Sequence, residues 1–219
     1  IAGSGLGGGG FAVVVNDDES VALDFRERAP NAAYPEMYVK STVENASRYG
    51  GLAVAIPNES NGLIELHRRF GRMPLKQIAA PAIAQARKGF AVGEHLSGAF
   101  GKLGEITVQN SIAQSLWHTE RPEVGSVVQH PRLAKTLQAW TRSNGDVFRN
   151  GWVAQDIVDT VQQQGGILTM EDMGNVQSIQ RPLLTGSYRG WTIETMPAPS
   201  SGGIVILQVL KVLEQFNLA

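Results

Sequence analysis

The chain has 219 residues, a formal net charge of −1, 42% hydrophobic residues and no cysteine. That length supports one domain or one large layered unit with a substantial core. The charge balance, without a clustered basic surface, leaves no footprint for nucleic acid, and the missing cysteines exclude a disulfide framework, a thiol nucleophile and a CxxC metal site.

No apolar run reaches the roughly 18 residues a membrane-spanning helix needs. The chain starts at Ile1 without an initiator Met and shows no signal peptide, so both ends are expected to be those of a fragment or a processed chain. Near the start, Gly7, Gly8, Gly9 and Gly10 let the backbone take positive φ or pass close to another chain or a ligand. Residues 11–15 are apolar and β-branched, a buried strand. Residues 16–20, NDDES, carry side chains that satisfy local backbone groups, the chemistry of a turn. Residues 21–25 resume a strand, predicting a hairpin with a five-residue connection. Arg26 follows at the strand end, where a guanidinium either pairs with Asp24 or Glu27 or forks onto a ligand carboxylate.

Residues 31–49 are mixed and polar, expected as loop and short helix anchored by Tyr34, Tyr38 and Tyr49. Gly50 and Gly51 break the chain before LAVAI, residues 52–56, which reads as a buried strand ended by Pro57. Residues 58–62 offer N-caps for a helix over 63–70 that ends at Gly71. Residues 74–88 form the clearest amphipathic helix, with Leu75, Ile78, Ala79, Ala82, Ile83 and Ala86 on one face. Pro81 inside it predicts a kink or a fresh start, and Gly89 a stop. Residues 91–125 have poor periodicity and suit only short helical pieces. A helix over 131–140 places Leu133, Leu137 and Trp140 on one side and ends at Asn144-Gly145. The next, over 152–164, carries Val153, Ile157, Val158 and Val161 and closes at Gly165-Gly166. Thr169 is positioned to cap a short acidic helix start. Residues 182–185 and 187–195 alternate as strands, with a bend at Gly186 or Gly190. Residues 204–216 are apolar on nearly all sides, a buried helix, with Ser200 and Ser201 as its N-caps. No internal repeat or interdomain linker is visible.

Four stretches carry a family resemblance: GLGGGGF, with DFRE about fifteen residues later; the strand, Pro57, Gly62, helix, Gly71 and Pro74-Leu75 series; the FRNG, helix, Gly165-Gly166 and LTMED series over residues 148–172; and MPAPSSGG at residues 196–203. Together they resemble the γ-glutamyltransferase (γ-glutamyl transpeptidase) family of N-terminal nucleophile hydrolases. The resemblance runs to the C-terminus and is weak from about Ala91 to Val128. Two positions depart from the family pattern. Asn58 stands where a glycine is usual, and its tolerance of left-handed backbone is expected to keep the turn. Ala198 replaces a proline. The implied fold is α+β, a four-layer αββα sandwich of which residues 1–219 supply one domain-sized part of the large subunit.

The resemblance also implies a function. Arg26 matches the arginine that clamps the α-carboxylate of a γ-glutamyl donor, and the glycines 7–10 and Ser200, Ser201, Gly202 and Gly203 frame the site. The catalytic nucleophile is an N-terminal Thr of a small subunit cut from the same precursor. Its Thr-Thr-His-x-Ser motif does not occur in these residues, so no catalytic residue is expected in this chain. The implied partners are that small subunit, a small-molecule γ-glutamyl donor, and water, an amino acid or a dipeptide as acceptor. The implied location is periplasmic or secreted. Ser200 and Ser201 invite reading as nucleophiles, but they do not form a GxSxG elbow and are better explained as helix caps. His67, His95, His118 and His130 are scattered without metal-ligand spacing, and neither metal nor cofactor is expected. Asp17, Asp18 and Glu19 read as a solvated turn. A glutaryl-type or cephalosporin acylase of the same fold, or a non-catalytic homologue, are the alternatives.

Overall fold

A computed structural model describes residues 5–99 and 123–218. In chain order the elements are β1 (Phe11–Val15), β2 (Ser20–Asp24), α1 (Glu59–Phe70), α2 (Leu75–Lys88), β3 (Phe90–Ala91), β4 (Val127–Val128), α3 (Pro131–Arg142), α4 (Trp152–Gln163), α5 (Met170–Asn175), β5 (Ile179–Arg181), β6 (Leu184–Tyr188), β7 (Trp191–Thr195) and α6 (Gly202–Leu213), with 3₁₀ turns at Gly51–Ala53 and Asp146–Phe148. The described residues group into two compact units, one holding 67–157 and the other 5–66 and 158–218.

The second unit contains the glycine run and Arg26. Its sheet is built on β2. β1 pairs with β2 as an antiparallel hairpin, from Phe11 opposite Asp24 to Val15 opposite Ser20. β5 pairs on the other side, with Ala22 opposite Arg181 and Asp24 opposite Ile179. Central placement explains why Val21, Ala22, Leu23 and Asp24 are all buried. The hairpin connection is residues 16–19, one shorter than expected, because Ser20 already pairs. Asn16 Oδ1 accepts the N–H groups of Asp18 at 2.9 Å and Glu19 at 2.8 Å, the local bonding that makes Asn a turn residue.

Three expectations in this unit are corrected. Residues 52–56 are not a strand: Gly51–Ala53 is a 3₁₀ turn, and Ile56 makes a single bridge to Arg28. Gly51 N–H donates to Gln164 O at 3.1 Å, tying the turn to the end of α4 rather than to a sheet edge. Residues 31–49 hold turns without a helix. Tyr34, Tyr38 and Tyr49 lie exposed, while Met37 and Ala46 are buried in their place. Residues 184–195 form one hairpin, β6 and β7, so the expected break at 186 falls inside β6 and the run from 187 is split by a turn at 189–190. Arg189 at φ 46° and Gly190 at φ 84° form the two-residue left-handed turn that matches strand twist.

Thr169 caps α5 as expected, through a full capping box with Asp172. Asp172, 1% exposed, also accepts the N–H of Asn31 at 2.9 Å, so one carboxylate holds a helix start and a distant loop. α6 packs through Leu207 on Gly186 of β6, where a Cβ would sit 2.7 Å from the leucine side chain. The helix is not buried all round: Ile204, Val205, Ile206, Val209 and Val212 are exposed. Its C-terminal end is tied to the β6–β7 turn, where Glu214 accepts from Lys211 Nζ and the Arg189 N–H, each at 2.8 Å. Those two bonds, the lysine first, hold the Glu214 carboxyl below its usual range.

In the first unit α2 and α3 pack on each other. They bury Ala79 and Ala86 on one helix and Ala134 and Trp140 on the other. Alanines at the crossing let the helix axes approach closely. Leu133 and Ile78 are exposed, so the buried faces are narrower than the periodicity suggests. α2 runs through Pro81 as one helix and stops at Gly89, φ 90°. β3 and β4 add a short antiparallel pair. His67 Nε2 lies 2.8 Å from Met73 O, a backbone contact at the helix end. The first turn of α3, the left-handed Asn144-Gly145 stop and the stripe of α4 follow the sequence reading. His118 and most of the weakly periodic stretch lie outside the described residues.

Candidate substrate-binding site

The glycine run and the segment 24–28 are built onto each other. Gly10 exchanges backbone hydrogen bonds with Phe25, at 3.2 and 3.0 Å, extending the β1–β2 ladder by one pair. A Cβ on Gly9 would stand 2.6 Å from Phe25 O, 2.7 Å from Glu27 N and 2.8 Å from Arg26 Cα. Only glycine lets the backbone of Arg26 lie this close. A Cβ on Gly10 would stand 2.8 Å from the Phe25 ring. Gly8 O accepts the N–H groups of Asn58 at 2.9 Å and Glu59 at 2.8 Å, satisfying two of the donors a helix start leaves open. Gly7 lines the adjoining cavity.

Gly62 repeats the theme from α1, since its absent side chain is what admits the Phe25 ring. Glycine to alanine inside an ordinary helix stabilises by about 0.5–1 kcal/mol. Here the added methyl overpacks the core, at a cost of about 1–3 kcal/mol. Gly62→Ala is therefore expected to destabilise by about 1–2 kcal/mol, the reverse of the helix rule, as read from a denaturant midpoint.

Arg26 itself is exposed, on a backbone gripped from both sides. Its N–H donates to Asp24 Oδ1 at 3.0 Å, and its carbonyl accepts from Asn58 Nδ2 at 3.3 Å. Its guanidinium carbon stands 5.7 Å from the centre of the Phe11 ring, a cation–π contact. Among the described residues no carboxylate pairs with it, and the expected alternative of an Asp24 ion pair fails for a visible reason. Asp24, 5% exposed, gives its other oxygen to Arg181, which donates from Nε at 2.7 Å and Nη2 at 2.6 Å. Arg26, Glu27 and Arg28 lie along one side of a cavity of about 800 Å³ that Tyr34, Tyr38 and Leu52 also line. Tyr38 O–H donates to Leu52 O at 3.1 Å across that wall. A cation free of carboxylates beside an open cavity can form a two-pronged bond to an incoming carboxylate.

Ser200, Ser201, Gly202 and Gly203 do not line this cavity. Ser201 stands at the N-cap of α6 without a side-chain cap bond, which corrects that expectation. Ser200 Oγ instead accepts the Gly202 N–H at 3.3 Å. Gly203 is buried against the end of β7, where a Cβ would stand 2.8 Å from Thr195 Cγ2. These residues shape the start of a helix.

The structure gives two residues a role at the site that their sequence context does not show. In sequence Asp24 stands out only as a possible partner of Arg26, yet it holds that residue's N–H and the Arg181 guanidinium. Its signal was a charge inside a run of otherwise apolar strand residues. In sequence Asn58 suits a turn through its tolerance of left-handed backbone. It is fully buried and does not use left-handed backbone, since the non-glycine residues with positive φ among those described are Asn45, Asn144 and Arg189.

The chain is similar to the γ-glutamyltranspeptidase of Helicobacter pylori, with a TM-score of 0.93 at 32% identity, over 100% of this chain and 64% of that one. It is also similar to the cephalosporin acylase of Bacillus halodurans, with a TM-score of 0.88 at 26% identity, over 98% of this chain and 41% of that one. The α+β fold is that of the N-terminal nucleophile hydrolases, of which these residues form a part. A family model described as Gamma-glutamyltranspeptidase matches residues 1–219. The glutathione hydrolase proenzyme of Arthroderma benhamiae is 36% identical over 221 residues, 98% of this chain. The chain belongs to the gamma-glutamyltranspeptidase family. It spans 37% of the length of that curated relative, and among its described residues no helix is long and apolar enough to cross a membrane.

Proposed function

We propose that this chain is the donor-binding part of an enzyme that transfers or hydrolyses γ-glutamyl groups of glutathione and related amides. The observation that carries this reading is Arg26: a guanidinium without a carboxylate partner among the described residues, facing a cavity, on a backbone held at both its N–H and its carbonyl. Arg26 binds the donor α-carboxylate through a charged fork. The γ-amide is thereby held in reach of the nucleophile, and the charged fork contributes mainly to donor affinity. The nucleophile is the N-terminal Thr of a small subunit released from the same precursor. Its hydroxyl attacks the γ-carbonyl, an ester forms, and the amine leaves with a proton. Water or the amine of an amino acid or dipeptide then attacks the ester and regenerates the hydroxyl. Gly7 and Gly9 frame the arginine, and Ser200 to Gly203 shape the start of α6. A periplasmic or secreted location belongs to the same reading and rests on the family alone.

The test is the release rate of a γ-glutamyl anilide by the full-length gene product, with and without a dipeptide acceptor. Acceptor-stimulated release is expected. The likeness to the cephalosporin acylase favours a second reading, cleavage of a glutaryl-type amide. Absence of anilide release from a precursor shown by mass to have cut itself would select it. A precursor that does not cut itself would point to a non-catalytic homologue.

A further inference from the structure

Asn58 is 0% exposed, and every polar atom of its side chain is engaged. Nδ2 donates to Arg26 O at 3.3 Å and to Gln177 O at 3.1 Å. Oδ1 accepts from Asn61 Nδ2 at 3.1 Å, and Asn61 Nδ2 also donates to Val176 O at 3.3 Å. The two carbonyls facing Nδ2 fix the orientation of the amide, because the flipped form would set oxygen against oxygen. The Asn58 N–H donates to Gly8 O at 2.9 Å. One residue thus joins the glycine run, the arginine segment, the start of α1 and the chain between α5 and β5. A buried network with all its members satisfied holds its geometry rigidly.

We propose that Asn58 is a positioning residue for donor binding: its amide fixes the Arg26 carbonyl, as Asp24 fixes the Arg26 N–H, and so sets the direction from which the guanidinium meets the donor carboxylate. The inference rests on the reading of Arg26 as the donor clamp. A glycine at this position has no side chain and cannot reach the Arg26 carbonyl, so Asn58→Gly removes the brace and leaves the guanidinium in place. The carbonyl then turns over a wider range, and more freedom must be lost when the donor binds.

The experiment is a double-mutant cycle of Asn58→Gly with Arg26→Lys in the full-length gene product, reading KM and kcat for a γ-glutamyl anilide, with the thermal midpoint recorded alongside. Asn58→Gly is expected to raise KM by about fivefold to tenfold, with kcat falling less, the range of one or two hydrogen bonds. In the Arg26→Lys background the same change should raise KM by less than about twofold, because residues that act through one contact are not additive. A lower midpoint with unchanged KM would overturn the inference and leave Asn58 a purely structural residue. Equal KM effects in both backgrounds would overturn it too. If Arg26→Lys alone leaves KM unchanged, the donor-clamp reading itself falls, an outcome distinct from failure of the brace. Should Asn58→Gly not fold, Asn61→Ala loosens the same amide while keeping both Asn58 donors. A KM rise of about twofold to fourfold is then expected, and none would count against the proposal.

Discussion

Arg26→Ala is expected to raise KM for a γ-glutamyl anilide by about 100-fold, and Arg26→Lys by about tenfold. Hydrogen bonds to charged groups contribute about 1.5–3 kcal/mol, and each 1.4 kcal/mol is a factor of ten in affinity. Alanine removes both prongs of the fork. Lysine keeps the charge but offers a single ammonium in place of two parallel N–H groups. The change should fall mainly on KM, because the α-carboxylate is remote from the amide that reacts and is bound in ground state and transition state alike. Folding should be little affected, since the Arg26 side chain is exposed and pairs with no carboxylate among the described residues. Steady-state kinetics with the anilide, at fixed acceptor, check the split. An unchanged KM would remove Arg26 from the site.

Asp24→Ala is expected to cost about 3 kcal/mol of stability. Truncating one partner of a buried ion pair leaves the other charge uncompensated, at about 3–5 kcal/mol. The lower end applies because the Arg181 side chain is 32% exposed and solvent recovers part of the loss, whereas the Asp24 side chain is only 6% exposed. Asp24→Ala also frees the Arg26 N–H, so KM for the donor should rise together with the loss of stability. Asp24→Asn separates the two roles. Its Oδ1 can still accept the Arg26 N–H, so KM should stay near the wild-type value while stability falls. Arg181→Met should cost at least as much stability as Asp24→Ala, because it strands the more deeply buried charge, while KM stays near the wild-type value because the Arg26 bond remains. Denaturant midpoints and anilide KM values for the three variants check this ordering.

The hairpin of β1 and β2, the capping box of α5, the glycine stops of α2 and α4 and the helix of α3 were legible in the sequence. Each rests on bonds between residues close along the chain, or on a period of two or 3.6 residues that one face of an element imposes. The LAVAI run shows where such reading ends. Its composition suits a strand, yet Gly51 is drawn onto the end of α4 by a bond to Gln164, and a contact more than a hundred residues away leaves no mark on local pattern. α6 is the converse: its apolar composition implied burial, while its packing against β6 covers one face only.

The candidate site divides along the same line. Composition and motif by themselves determined that the chain carries no thiol, that glycines precede a strand pair and that Arg26 ends it, with a family pattern around it. The tertiary structure decided why those residues belong together. Gly9 is needed because the Arg26 backbone lies against it, Gly62 because Phe25 occupies the space of its side chain, and Asp24 is withheld from the Arg26 guanidinium because Arg181, 157 residues later, takes its second oxygen. Pairings of that range depend on which strand lies beside which, and this is set by burial of β2 between its two neighbours rather than by any residue's own preference.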